Sequence, residues 1–249
     1  SFANCQHRYL QMAQALRASG RDILFSACNW GAQEPWNWMR SVGAHMYRST
    51  GDIFDNFNST ANIAKSQMDK FNANAAGCFN DMDMLTVGMN GAGNVGSGTE
   101  ANTYNEYEFE FGYWCFCASP LMIGCDIRKA DENTKRILMN KGLIEINQDI
   151  ESRGCYRVTP QPQWFQTNEA FILVKVLSDG DLAIGLFNLT DDRREMSLQF
   201  WDLGIPSASG IKLDLYDVWE EKNLGVFSER FHPTIDGHDC IVVKAHIVK

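Results

Sequence analysis

Segments with helical apolar spacing alternate with short apolar strands along the first 149 residues, and then the alternation stops. This change of period limits the possible folds more than any other feature. Residues 8–19 place Leu10, Met12, Ala13 and Leu16 at helical spacing, and Gly20 ends the run. A short strand over 22–26 follows, then a helix over 34–42 with Pro35 at a tolerated early position, and a second strand over 45–48. Next come a helix over 58–71, a third strand over 75–79, a Gly- and Asn-rich loop over 88–100 and an aromatic helix over 104–118. A fourth strand over 120–124 and a helix over 133–140 complete the series. Strands separated by helices predict a parallel sheet with crossover connections.

Beyond residue 149 the pattern is that of hairpins. Apolar runs over 171–177 and 182–187 flank Ser178-Asp179-Gly180-Asp181, a strong turn signal, and further strands are expected over 196–200, 212–219 and 241–248. The expected fold class is therefore α/β plus all-β. Residues 1–149 would form a partial (β/α)8 barrel of about four strand–helix units, and 150–249 an antiparallel β-sandwich. Half a barrel leaves open strand edges and an uncovered apolar face, so something must cover them.

At 249 residues, 45% hydrophobic and 21% charged, the chain can bury a substantial core. A net charge of −9 speaks against a nucleic-acid partner, which needs clustered Lys and Arg. No apolar stretch reaches the roughly 18–20 residues that would span a membrane. The first residues carry neither an initiator Met nor a signal peptide, which suggests processing or a piece of a longer chain. Several of the eight cysteines sit inside apolar runs, as in Trp114-Cys115-Phe116-Cys117, and read as buried free thiols. None has the spacing of a metal site, and no cofactor is implied. The thiols favour a reducing compartment and a cytoplasmic, bacterial protein. Secretion is the alternative, with Asn58-Ser59-Thr60 and Asn188-Leu189-Thr190 as candidate glycosylation sequons.

Charged residues collect where the predicted strands end. Arg48-Ser49-Thr50-Gly51-Asp52 follows the second strand, and Asn80-Asp81-Met82-Asp83-Met84-Leu85 the third. Asp suits turns and helix caps. Carboxylates repeated at successive strand ends are also how a barrel assembles groups for proton transfer and for binding sugar hydroxyls.

Five motifs then occur in order: Ile23-Leu24-Phe25-Ser26-Ala27-Cys28-Asn29-Trp30-Gly31, Arg48-Ser49-Thr50-Gly51-Asp52-Ile53, Asn80-Asp81-Met82-Asp83-Met84-Leu85, the segment 118–128, and Ile144-Glu145-Ile146-Asn147-Gln148-Asp149. Together they resemble glycoside hydrolase family 27, the α-galactosidase and α-N-acetylgalactosaminidase group. The resemblance implies the C-terminal half of a (β/α)8 TIM barrel followed by an antiparallel β-sandwich. It also implies a retaining mechanism with two carboxylates, acting on α-galactoside sugars. By this resemblance Asp52 is the catalytic acid/base and Arg48 contacts the sugar and the carboxylates. Cys28, Trp30, Asp83 and Met84 belong to the substrate pocket. Asn29 stands where many members carry Glu, which leaves open α-N-acetylgalactosaminidase or β-L-arabinopyranosidase specificity.

The family's nucleophile motif, Lys-(Tyr/Phe)-Asp-(Asn/Gly)-Cys, has no intact copy here. Either the chain starts after it, or Ser1-Phe2-Ala3-Asn4-Cys5 is an altered copy with Ala3 in place of the nucleophile. Both readings predict a chain that needs a missing N-terminal barrel half, or another copy of itself, for activity. The other class is a catalytically inactive carbohydrate-binding relic.

Overall fold

The computed structural model describes residues 2–92, 95, 101–158 and 169–249. Three short strands, β1 (Ser26–Cys28), β2 (Met46–Arg48) and β3 (Phe79–Asp81), lie side by side in chain order and run parallel. Their register is flush, with Ala27 opposite Tyr47, Tyr47 opposite Asn80, Cys28 level with Arg48, and Arg48 level with Asp81. The three middle residues are buried. Strand alternation turns the flanking residues to the other face, which is more open.

The expected fourth strand over 120–124 does not form. A single parallel bridge joins Leu85 to Ile123, held by Leu85 N–H to the Met122 carbonyl at 2.8 Å and Gly124 N–H to the Leu85 carbonyl at 3.0 Å. Pro120 has no amide proton to donate, and Met122 and Ile123 are exposed. The strands expected over 22–26 and 75–79 begin later than their apolar runs, at Ser26 and Phe79. The helix expected over 34–42 reduces to one 3₁₀ turn, Pro35–Asn37. Gln33 and Glu34 before it are left-handed and Trp38 after it leaves helical geometry, so no longer ladder can propagate. Part of the 88–100 loop lies outside the described residues.

Five α-helices are present among the described residues: α1 (Phe2–Ala18), α2 (Phe57–Gln67), α3 (Tyr104–Phe116), α4 (Glu132–Leu138) and α5 (Lys141–Asn147). Ala3 lies in the first turn of α1. Asn56 caps α2 by accepting from Ser59 N–H at 3.0 Å, and Thr103 with Glu106 forms a capping box on α3. Asn140 caps α5 through Leu143 N–H and so divides the segment after 132 into two helices. The second of these was not expected from the sequence.

Among the described residues, the all-β part builds one six-stranded antiparallel sheet. Its strands are β4 (Tyr156–Arg157), β5 (Ala170–Val176), β6 (Leu182–Asn188), β9 (Lys212–Asp217), β10 (Lys222–Phe227) and β13 (Asp239–Val248), in the order β10-β9-β13-β6-β5-β4. The β5–β6 hairpin forms where the sequence signals it. Two short pairs make the opposing layer of the sandwich: β8 (Leu198–Gln199) with β11 (Arg230–Phe231), and β7 (Arg194–Glu195) with β12 (Thr234–Ile235). Ile172, Ile184, Leu213 and Val243 pack on Leu198, Phe200 and Phe231 between the layers.

The sheet's other face packs on α3. Phe187 meets Phe109, Tyr113, Phe116 and Phe171 edge-on or stacked at 5.2–5.7 Å between ring centroids. A Cβ on Gly112 would lie 3.4 Å from Cys240 Sγ, so the helix approaches the sheet closely there. On its far side α3 packs on α2, where Tyr113 Oη donates to the Ala64 carbonyl at 2.8 Å. A helix enclosed on both sides buries most of its residues, and α3 does so with Tyr107, Phe109, Phe111, Tyr113, Trp114 and Phe116, while its buried Glu110 is hydrogen-bonded to Thr86. Likewise β6 is buried along its whole length because both sheet faces are covered.

Candidate active site

Flush register sets the site. Cys28, Arg48 and Asp81 end three adjacent parallel strands in one row on the more open face. The loops that follow carry the remaining candidates. Arg48 reaches across this rim. Its Nη2 lies 2.5 Å from Asp83 Oδ2 and 3.1 Å from Asp52 Oδ1, and it also donates to the Gly51 carbonyl at 2.7 Å. Its Nε donates to Thr50 Oγ1 at 3.1 Å, and Thr50 in turn donates to the Met82 carbonyl at 2.9 Å. A planar guanidinium fork thus ties the 48–52 turn to the end of β3.

The two carboxylates that Arg48 joins differ in environment. Asp83 accepts from Ile53 N–H and Met84 N–H, both at 2.7 Å, and its side chain is only 12% exposed. Burial raises its carboxyl above the ordinary value, against the pull of those amides and Arg48. Its backbone is left-handed, with φ 98°. The Asp52 side chain is 62% exposed and carries the single bond to Arg48 on Oδ1. One carboxylate is clamped and the other is presented. Asp81 accepts from Asp83 N–H at 2.9 Å and is likewise raised by burial.

Trp30 and Asp52 line one cleft of about 470 Å³ with Trp36, Asn62, Ser66 and Lys70. Trp30 is 64% exposed with left-handed backbone, φ 56°. The turn that carries it depends on Gly31, which has φ +81° and where a Cβ would lie 2.4 Å from the Ser49 carbonyl oxygen. Asn29 shapes the same turn, accepting from Gly31 N–H and donating to the Ala32 carbonyl. Its side chain is thereby engaged by its own loop. Cys28 is exposed rather than buried; it lines a separate groove beside Tyr9 and Phe25, and its carbonyl accepts from Tyr9 Oη at 2.7 Å. Met84 is half-buried, packs against the main core and lies close to Gly124.

A buried network behind this rim was not found by sequence reasoning. Asp55 accepts from Tyr107 Oη at 2.8 and 3.0 Å and from Gly91 N–H at 2.7 Å. Fully buried Glu110 accepts from Thr86 N–H and Thr86 Oγ1, both at 2.7 Å, and desolvation pushes its carboxyl up to about 8. These carboxylates hold the loop after β3 in place. The available signal was the run Glu106, Glu108 and Glu110 on a helix rich in aromatic residues.

Among the described residues, no group of three or more His, Cys, Asp and Glu side chains is placed to hold a metal ion, and no helix is long and apolar enough to cross a membrane.

The sequence and fold both have known relatives. An alpha-galactosidase from Cyamopsis tetragonoloba is 34% identical over 246 residues, which is 96% of this chain and 55% of that protein. Alpha-galactosidase 3 of Arabidopsis thaliana is 33% identical over 94% of this chain and 50% of its own length. The chain therefore spans about half the length of the curated relatives it matches. The crystal structure of alpha-galactosidase I from Mortierella vinacea superposes with a TM-score of 0.85 at 26% identity, over 98% of this chain and 64% of that one. The profile of the Alpha galactosidase C-terminal beta sandwich domain matches residues 167–245. The Alpha galactosidase A profile matches residues 1–149, across the parallel strands and the Arg48–Asp52–Asp83 rim, and the chain belongs to that family.

Proposed function

We propose that this chain carries the acid/base side of a retaining α-galactosidase site that removes terminal α-linked galactose, with Asp52 as the general acid/base. The observation behind this reading is the Arg48 bridge, which fixes an exposed carboxylate beside a clamped one at the ends of parallel strands. In the first step Asp52 protonates the glycosidic oxygen as the leaving group departs from the anomeric carbon. In the second it takes a proton from the water that attacks the glycosyl intermediate. Arg48 orients Asp52, and the exposed indole of Trp30 offers an apolar face to a sugar ring.

The retaining mechanism needs a second, nucleophilic carboxylate. Asp83 is a poor candidate, because its oxygens already accept two backbone amides and Arg48. The nucleophile belongs instead to a further β/α half that completes the barrel. The uncovered apolar surface supports this. Leu24, Met122 and Ile123 are exposed, and a cavity of about 780 Å³ runs past Leu24, Met46, Phe79 and Met122. Residues 1–149 act as the barrel part and 150–249 as a β domain outside the chemistry. The eight free thiols fit a cytoplasmic setting.

Coexpression with the N-terminal β/α half of a relative, assayed on raffinose and on an aryl α-galactoside, tests the proposal. The chain alone should be inactive. In the completed enzyme Asp52→Ala should lower raffinose turnover by roughly 10²–10⁴-fold and affect the better aryl leaving group less. Unchanged raffinose turnover in that variant would remove Asp52 from the mechanism.

A further inference from the structure

Cys117 and Cys155 meet in the interior, with Sγ atoms 3.9 Å apart and both residues buried. Cys117 directly follows the C-terminus of α3, and Cys155 directly precedes β4, where the chain enters the antiparallel sheet. A very small cavity of about 10 Å³ touches both, lined also by Gln67, Lys70, Asn74 and Asn80. Asn80 Oδ1 is buried and has no hydrogen-bond partner. A polar void of this size with an unsatisfied acceptor suits one water-sized, hydrogen-bonding molecule. The ammonium of Lys175, fully buried and donating to the Ile146 carbonyl at 2.5 Å, lies within electrostatic reach of both sulfurs.

We infer that Cys117 and Cys155 are a peroxide-oxidisable pair that closes into a disulfide tying the end of α3 to the entry of the sheet. Hydrogen peroxide is larger than the single water that a void of about 10 Å³ suits, so it reaches the sulfurs only when the surrounding packing opens. One cysteine, as thiolate, attacks a peroxide oxygen. The O–O bond breaks, hydroxide leaves and is protonated to water, and the cysteine becomes a sulfenic acid. The second thiol then attacks that sulfur. The S–S bond forms, the S–O bond breaks, and a second water departs. In sum, two thiols and one peroxide give one disulfide and two waters, with the sulfurs oxidised by two electrons and the peroxide reduced by two. Lys175 supplies the positive charge opposite the transient thiolate. Burial raises the Cys117 thiol well above its ordinary value, so the reaction is slow and the product is a structural tie rather than a fast sensor.

The test treats the purified chain with peroxide, removes the oxidant, and blocks free thiols in denaturant before peptide mapping. The expected product is a Cys117–Cys155 linked peptide, lighter by two hydrogens and lost on reduction with dithiothreitol. Closing a loop of 38 residues' separation should raise Tm by roughly 5–10 °C, reversibly. Cys155→Ser and, separately, Cys117→Ser should abolish the peptide and the Tm rise. Exposed Cys28 reports that oxidant was active. Oxidised Cys28 with Cys117 and Cys155 both still free to alkylation would overturn the inference. The wild-type map decides this even if either variant fails to fold.

Discussion

Arg48 Nη2 lies 2.5 Å from Asp83 Oδ2, and the two side chains are only 14% and 12% exposed. The pair joins the end of β2 to the residues just past β3, and the presentation of Asp52 depends on it. Replacing Arg48 with Met leaves a half-buried carboxylate without its cation, which should cost roughly 3–5 kcal/mol in urea unfolding. Adding Asp83→Asn should recover part of that loss, and the coupling in the double-mutant cycle measures the pair. Additive losses would show that the two do not interact.

Glu110 should impose a pH dependence on stability. Its carboxyl moves from 4.5 in an unperturbed chain to about 8 in the fold. Between those values the folded state holds a proton that the unfolded state releases. The stabilisation is therefore complete below about pH 4.5 and is lost as pH rises through about 8. Asp239, pushed up to about 6 by burial, contributes a slope of the same sign that ends lower. Glu110→Gln keeps an acceptor for Thr86 N–H and cannot ionise. It should flatten the unfolding free energy between pH 6 and 8, as read from urea titrations across that range.

Gly31→Ala tests the Trp30 turn. The new methyl would meet the Ser49 carbonyl oxygen at 2.4 Å, on a residue with φ +81°. A loss of about 1–3 kcal/mol is expected. The emission of exposed Trp30 should shift as the turn rearranges. A variant with unchanged stability and fluorescence would mean that the turn is not built as described.

Phe187→Ala removes the ring that Phe109, Tyr113, Phe116 and Phe171 share. The expected cost is about 3–5 kcal/mol. Because this ring joins α3 to the sheet, the helical and sheet signals should be lost together at a lower urea concentration. Separate transitions would show that the two parts fold independently.

Asp217→Asn probes the β domain. Asp217 accepts from Trp219 N–H at 2.9 Å and Glu220 N–H at 3.0 Å, at the turn after β9. An amide retains an acceptor there, so turnover of a barrel-completed enzyme should stay unchanged and stability should fall slightly. Loss of turnover with normal folding would place chemistry in this domain.

Local pattern determined a large part of this protein. The helix–strand alternation, the β5–β6 hairpin and the aromatic richness of α3 are each properties of a few consecutive residues, and each is legible in the sequence. The association of Arg48 with Asp52 was implied by the resemblance of their motif, and the structure pairs them. Short strands were read less well. A three-residue strand takes its limits from its neighbours' register, so β1 and β3 begin later than their apolar runs and 120–124 yields only one bridge. The helix anticipated over 34–42 fails because backbone signs at Gln33 and Glu34 are set by the turn that carries Trp30. Only the tertiary structure could decide contacts between distant residues. Asp83 meets Ile53 across 30 positions, Cys117 meets Cys155 across 38, and Asp55 meets Tyr107 across 52. Such groups share no local period. Folding brings them together because a buried carboxylate or thiol must find its partners wherever the packed elements place them.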